Sequence, residues 1–286
     1  MTFKTHQLAL SASLILLLTA CGGGGSKSDD PKNTESSNIK GEPIAEIEEA
    51  SGICYSVARD SLFVVSDKGV IYELDMSGNI LAEERHRTKK DKKYDFEGVA
   101  CDDDNGRVVA AREGKDNVVT IEQDDLSSRL KDSDGKDMGD IVRPDDDTLF
   151  KDEDGKTGIE GIAINDDGTV YISNQSLVAY PKQDSSFVFT VDDYTAAEPK
   201  VDKIVNHGKL DIVGLSFHNG FLYMVSGVDH SLIQYDINAD KVLSIKALPS
   251  GIDVEGVTFD NNGNIYFADD KNGKVYKYSA SDFGIN

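Results

Sequence analysis

One pattern recurs five times along this chain and limits its fold more than any other feature: acid, glycine, then alternating apolar residues. The copies are Glu49-Ala-Ser-Gly52-Ile-Cys, Asp95-Phe-Glu97-Gly98-Val-Ala, Gly158-Ile-Glu160-Gly161-Ile-Ala, Asp211-Ile-Val-Gly214-Leu-Ser and Asp253-Val-Glu255-Gly256-Val-Thr. Their glycines lie 46, 63, 53 and 42 residues apart. A period of that size marks a repeat architecture, in which each unit is one supersecondary structure that cannot bury its apolar surface alone. Turn signals follow the last four glycines, at Asp103-Asp-Asn-Gly106, Asn165-Asp-Asp-Gly168, His218-Asn-Gly220 and Asp260-Asn-Asn-Gly263.

Between the repeats, short β-branched and aromatic runs such as Leu62-Phe-Val-Val-Ser66, Thr169-Val-Tyr-Ile-Ser173 and Asn264-Ile-Tyr-Phe-Ala268 are bounded by Gly, Asn or Asp. No long segment holds a 3.6-residue period, so the expected class is all-β. One four-stranded propeller blade takes roughly 40–50 residues, so five repeats predict a five-bladed β-propeller of four-stranded antiparallel blades. The 63-residue interval holds one blade plus an acidic insertion at about 122–157. A six-bladed ring, with a degenerate blade between Gly98 and Gly161, is the alternative. After Gly256 only three strands fit, so Ile44-Ala-Glu-Ile47 or its approach is expected to supply the fourth and close the ring.

The N-terminus carries one positive side chain, Lys4, then an apolar stretch from Leu8 to Ala20 that is too short to span a bilayer. Leu18-Thr19-Ala20-Cys21 resembles the lipobox of bacterial lipoproteins. That resemblance implies a signal peptide over 1–20 and, at Cys21, acylation of palmitate type that anchors the chain in a lipid bilayer. Gly22 after the cysteine resembles an outer-membrane sorting signal. The expected location is therefore the cell envelope, with 21–40 as a flexible linker and 41–286 as the propeller. The formal net charge of −22 repels phosphate backbones and excludes a nucleic-acid partner. With Cys21 acylated, Cys54 and Cys101 remain as a candidate disulfide in an oxidising compartment.

Glu49-Ala-Ser-Gly-Ile, Leu62-Phe-Val-Val-Ser-Asp67, Ile71-Tyr-Glu-Leu-Asp75 and Asp95-Phe-Glu-Gly-Val-Ala100 together resemble the SdiA-regulated (YjiK-like) family of exported β-propellers. The resemblance covers most of Ile44 to Tyr278, departs at the acidic insertion, and implies no particular activity. Its short motifs are also similar to those of strictosidine-synthase-like and gluconolactonase-like propeller hydrolases.

Counted from each motif glycine, position −1 is Ser51, Glu97, Glu160, Val213 and Glu255, and position −3 is Glu49, Asp95, Gly158, Asp211 and Asp253. Two-residue spacing on an extended chain puts both on one side, so these acids are expected around one mouth of the central channel. Crowded carboxylates repel unless protons or a cation intervene, and Ca²⁺, which takes six to eight oxygens, answers that need. Glu97, Glu160 and Glu255 are the principal candidate ligands. The structural alternative is that each Glu accepts backbone hydrogen bonds from its neighbour blade. Ser66-Asp67, Arg112-Glu113, Ser173-Asn174, Ser226-Gly227 and Ala268-Asp269 are read as equivalent places at the end of the second strand. Resemblance to the gluconolactonase type implies metal roles for Asn174 and Asp269, and Arg112 suits an anionic group. Glu49, Asp67, Asp211 and Asp253 complete the candidate ligand-binding set. Asp132-Ser-Asp134-Gly135 and Asp152-Glu-Asp154-Gly155 resemble the opening of calcium loops but lack the bidentate Glu of an EF-hand, and read as solvated loop. Two functions follow: an envelope-anchored module that binds a small ligand or an envelope protein, with a divalent cation at the channel, or a calcium-dependent lactone or ester hydrolase.

Overall fold

A computed structural model describes residues 39–86, 94–112, 117–126, 132–133, 136–137, 158–182, 184–191, 193–196 and 199–286. Cys21, the signal segment, the linker before residue 39 and most of the insertion lie outside the described residues. All described residues belong to the unit Pro31–Asn286.

β1 (Glu42–Glu46) precedes the first blade and belongs to the last. The first blade is β2 (Ala50–Ser56), β3 (Ser61–Ser66), β4 (Val70–Asp75) and β5 (Ile80–His86). The second is β6 (Phe96–Asp102), β7 (Arg107–Arg112) and β8 (Asn117–Glu122). Two short insertion strands serve these blades: β9 (Asp132–Ser133) adds in parallel to β5, and β10 (Lys136–Asp137) completes the second blade against β8. The third blade is β11 (Ile159–Ile164), β12 (Val170–Asn174), β13 (Phe187–Val191) and β14 (Val201–Val205). β15 (Ile212–His218), β16 (Phe221–Ser226), β17 (Ser231–Asp236) and β18 (Lys241–Ala247) form the fourth. The fifth is β19 (Val254–Phe259), β20 (Asn264–Asp269) and β21 (Lys274–Ser279), closed by β1 antiparallel to β21. The fold is a five-bladed β-propeller, and the expected closing strand is the one used.

The core is divided in five, one cluster between each pair of neighbouring blades. Alternate residues of one strand face opposite interfaces. Phe63 and Val65 pack toward Phe96 and Val108 of the second blade, while Leu62 and Val64 pack toward Tyr266 and Ala268 of the fifth. Both faces of every blade are thus buried, which explains why the strands read as continuous apolar runs.

The five motif glycines form a closed circuit at the centre. A Cβ on Gly52 would lie 2.7 Å from the carbonyl oxygen of Glu97; one on Gly98 would run into that of Glu160. Gly161 would meet Leu215 N at 2.8 Å, Gly214 the carbonyl of Glu255, and Gly256 that of Ser51 at 2.8 Å. Each inner strand therefore touches the next one backbone to backbone, and only hydrogen fits at the contact. Cys54 on β2 and Cys101 on β6 are joined by a disulfide with Cα atoms 5.8 Å apart, a covalent link between two inner strands.

Gly98→Ala is expected to cost about 1–3 kcal/mol by overpacking, read as a lowered midpoint in urea. Gly106→Asn, at φ 64 with nothing near its added Cβ, is expected to cost under about 1 kcal/mol. Equal costs would contradict the packed circuit.

Candidate functional site

The residue before each motif glycine is the extra residue of a β-bulge. In each blade position −2 pairs with the last residue of the second strand, and the register then slips by one. Ala50 faces Ser66 but Gly52 faces Val65; Ile212 faces Ser226 but Gly214 faces Val225; Val254 faces Asp269 but Gly256 faces Ala268. The same slip lies between Phe96 and Val99, and between Ile159 and Ile162. Ser51, Glu97, Glu160, Val213 and Glu255 are thereby taken out of strand alternation. The bulge interrupts simple two-residue alternation at position −1, yet Asp95 and Glu97, positions −3 and −1 of the second blade, still bring carboxylate oxygens within 4.8 Å of one another.

Backbone hydrogen bonds fix the alignment of the strand ends. The carbonyls of Glu49, Gly158, Asp211 and Asp253 accept from the N–H groups of Asp67, Gln175, Gly227 and Asp270, at 3.2, 3.0, 2.9 and 3.1 Å. Asp67 is therefore equivalent to Gln175, Gly227 and Asp270. Asn174 and Asp269 stand one place earlier, with Ser66, Arg112 and Ser226, which corrects the alignment read from sequence. These earlier positions tie loops down. Ser66 Oγ donates to Glu48 O at 2.7 Å and Ser226 Oγ to Leu210 O at 2.8 Å. Asp269, fully buried, accepts from the Asp253 N–H at 2.8 Å and from Asn272 Nδ2 at 2.6 Å. Asn174 donates to Ser185 O at 2.8 Å.

Among the described residues one group of acids has metal-ligating geometry: Asp67, Asp95 and Glu97, each with an oxygen within 4.8 Å of the others. Asp67 comes from the loop after β3, and the other two from the entry of β6. Ser51 Oγ donates to Asp67. Burial raises the Asp67 pKa above the ordinary carboxylate range, the Ser51 bond opposes this, and Asp95, Asp270 and Glu49 add repulsion. Glu255 is pushed up to about 8, first by burial and then by Asp270, Asp67, Asp253 and Asp269. Burial likewise raises Asp270 and Asp211. Lys68 is a counter-charge at this mouth, with Nζ 2.5 Å from Glu49 and 3.8 Å from Glu48.

Of the other expected residues, Glu160 is buried and Arg112 is buried with its guanidinium 3.9 Å above the Tyr94 ring. Val213 packs in the apolar cluster between the fourth and fifth blades. Asp270 and Lys68 escaped the sequence reading. The Asp269-Asp270 doublet pointed to Asp270, and only the misaligned strand ends hid it. A cavity of about 660 Å³ opens at the opposite ends of the inner strands, lined by Tyr55, Asp103, Asn165, His218 and Phe259 among others.

The fold and this mouth define an acidic-centred five-bladed propeller. Residues 45–200 match the phytase-like family, described as "Esterase-like activity of phytase", and the chain belongs to that family. No curated protein matches it by sequence. Among solved structures, Myxococcus xanthus glutaminyl cyclase is similar with a TM-score of 0.57 at 12% identity, over 84% of this chain and 94% of that one. The PQQ-bound aldose sugar dehydrogenase of Streptomyces coelicolor has a TM-score of 0.51 at 11% identity, over 84% and 98%. A streptogramin B lyase has a TM-score of 0.51 at 13% identity, over 85% and 99%. At such identities these structures share the fold alone.

Because the folded value for Glu255 lies above its ordinary 4.5, its contribution to stability is complete below that value and is lost as pH rises through about 8. In chelator, Glu255→Gln is expected to raise the melting temperature near pH 9 by roughly 3–8 °C and to change it little near pH 5. A variant that melts below wild type at the higher pH would show that Glu255 is not under this repulsion.

Proposed function

We propose that the acidic mouth holds a divalent cation, with calcium the best match, and hydrolyses an ester there. The observation that carries this is the convergence of Asp67, Asp95 and Glu97 within 4.8 Å. All their donor atoms are hard carboxylate oxygens, the kind Ca²⁺ takes, and their mutual repulsion is what a cation would relieve. Asp67, Asp95 and Glu97 would be the holding residues, with Glu255 beside them and Glu160 further round the ring. A bound cation would supply charge neutralisation and polarisation of an ester oxygen. Glu255, raised to about 8 in the cation-free mouth by burial and its acidic neighbours, would give its carboxyl proton to the departing alkoxide while a water adds to the acyl carbon. The family description, esterase-like activity of phytase, supports the same reaction class.

The lipobox-like Leu18-Thr19-Ala20-Cys21 supports a lipid-anchored envelope location, outer membrane by the Gly22 signal. The SdiA-regulated resemblance supports export, and the net charge of −22 argues against nucleic-acid partners. A module that binds its ligand through the cation without turnover is the second reading. It is favoured by the engagement of Asn174 and Asp269 in local bonds, to Ser185 O and to the Asp253 N–H and Asn272.

The test is hydrolysis of p-nitrophenyl carboxylic esters, aryl lactones and p-nitrophenyl phosphate by chelator-treated protein, before and after calcium is restored. Turnover is expected only with calcium, and Asp95→Asn with Glu97→Gln is expected to lower it about 100-fold or more. Turnover indifferent to chelator would overturn the cation's role. Calcium binding with no turnover of any substrate would assign the binding module instead.

A further inference from the structure

The acids are not evenly spread around their mouth. The acidic pattern breaks at Ser51 in the first blade, at Gly158 and Gln175 in the third, and at Val213 and Gly227 in the fourth. The third and fourth blades thus keep only Glu160 and Asp211 at places where the first keeps Glu49 and Asp67 and the fifth keeps Asp253, Glu255 and Asp270. On that same side stand three exposed apolar side chains: Leu177 at 66%, Val178 at 38% and Val228 at 53% exposure. Single exposed aliphatics are ordinary, but these three sit on two connections that Asp211 joins.

Their loops are tied by hydrogen bonds. The connection after β12 runs from 175 to 186, whereas its counterparts in the first, fourth and fifth blades span only three or four residues. It is folded on itself, with Val178 N donating to Ser176 Oγ at 2.9 Å and Ser186 N donating to Val178 O at 2.7 Å. Asp211 then joins it to the next blade. Its N–H donates to Ser176 O at 2.7 Å, and its carboxylate accepts from the Gln175 side chain and the Val228 N–H. Leu177 and Val228 thus flank one residue, held at φ 54. The charge of Asp253, on the next blade, raises both Asp211 and Glu255. Leu177, Val178 and Val228 and the acids Asp67 and Asp270 all sit on the connections from the second to the third strand of their blades, at the same end of the propeller.

We propose that the ester taken here carries an apolar acyl or alkyl chain, which lies on the rim of Leu177, Val178 and Val228 while its ester group faces the acids of the first, second and fifth blades. The proposal rests on the ester-hydrolysis reading and adds the substrate class. Charge argues in the same direction. A polyanionic phosphate ester must approach a chain of net charge −22, whereas a neutral carboxylic ester meets no such barrier. An aliphatic chain also gains by leaving water against exposed aliphatic side chains.

The test uses the calcium-loaded full chain and the p-nitrophenyl acetate, butyrate and hexanoate series. The expected result is a kcat/KM about ten-fold higher for hexanoate than for acetate, carried by KM. Leu177→Asp with Val228→Asp is expected to level that ratio, while Leu81→Asp, on the outer strand β5, keeps it. A flat wild-type profile, or a ratio unchanged in the double variant, would overturn the proposal. Preference for p-nitrophenyl phosphate over every carboxylic ester would overturn it too, while leaving ester hydrolysis standing. If no ester turns over, the reaction class fails by itself, and calorimetric binding of hexanoate against acetate still reads the rim: equal affinities overturn it. Unchanged kinetics with lost adsorption to phosphatidylcholine vesicles, or with a changed oligomeric state, would assign the rim to a membrane or to a protein partner.

Discussion

The circuit of Gly52, Gly98, Gly161, Gly214 and Gly256, each pressed against backbone of the next inner strand, is the contact on which the rest of this structure depends. Five strands can meet so closely around one axis only where no side chain separates them. The contact sets how near the blades stand, and so which apolar faces interlock in the five interblade clusters. It also explains the bulges. The chain must bring a glycine to its neighbour's backbone and still keep two-faced burial beyond it, and one extra residue before the glycine resolves the conflict. That extra residue is Ser51, Glu97, Glu160, Val213 or Glu255, and three of the five are Glu.

Placing carboxylates beside such a contact has an electrostatic cost. The shifts at Asp67, Glu255, Asp270 and Asp211 all run upward, and each begins with burial. Lys68 answers only part of the charge, through Glu49 and Glu48. Groups strained in this way at one mouth are what a site for a cation, or for a proton in transit, requires. The disulfide between Cys54 and Cys101 lies further along the same inner strands, so the two blades that supply the acid group are covalently joined beneath it.

Much of this was legible in the sequence, because repetition carries the information five times over. The blade count followed from the glycine spacing, and the closing strand from the shortage of chain after Gly256. Other parts left no signal. β9 and β10 are two-residue pairings within a polar insertion, where no apolar alternation exists to reveal them. The bulges were invisible because composition does not say which residue of a strand lacks a partner. Nor does composition mark where each second strand ends, so Asn174 and Asp269 were aligned with Asp67 when Gln175 and Asp270 are its equivalents. The acid group itself was half legible. Glu97 and Asp67 stood out separately, but that they meet across two blades depends on the ring.

Anomalous scattering from a crystal grown with terbium in place of calcium tests the cation site most directly. A peak among the carboxylates of Asp67, Asp95 and Glu97, absent in Asp95→Asn, is the predicted result. A peak only at the opposite mouth, beside Asp103 and Asn165, or no ordered ion at all, would contradict it.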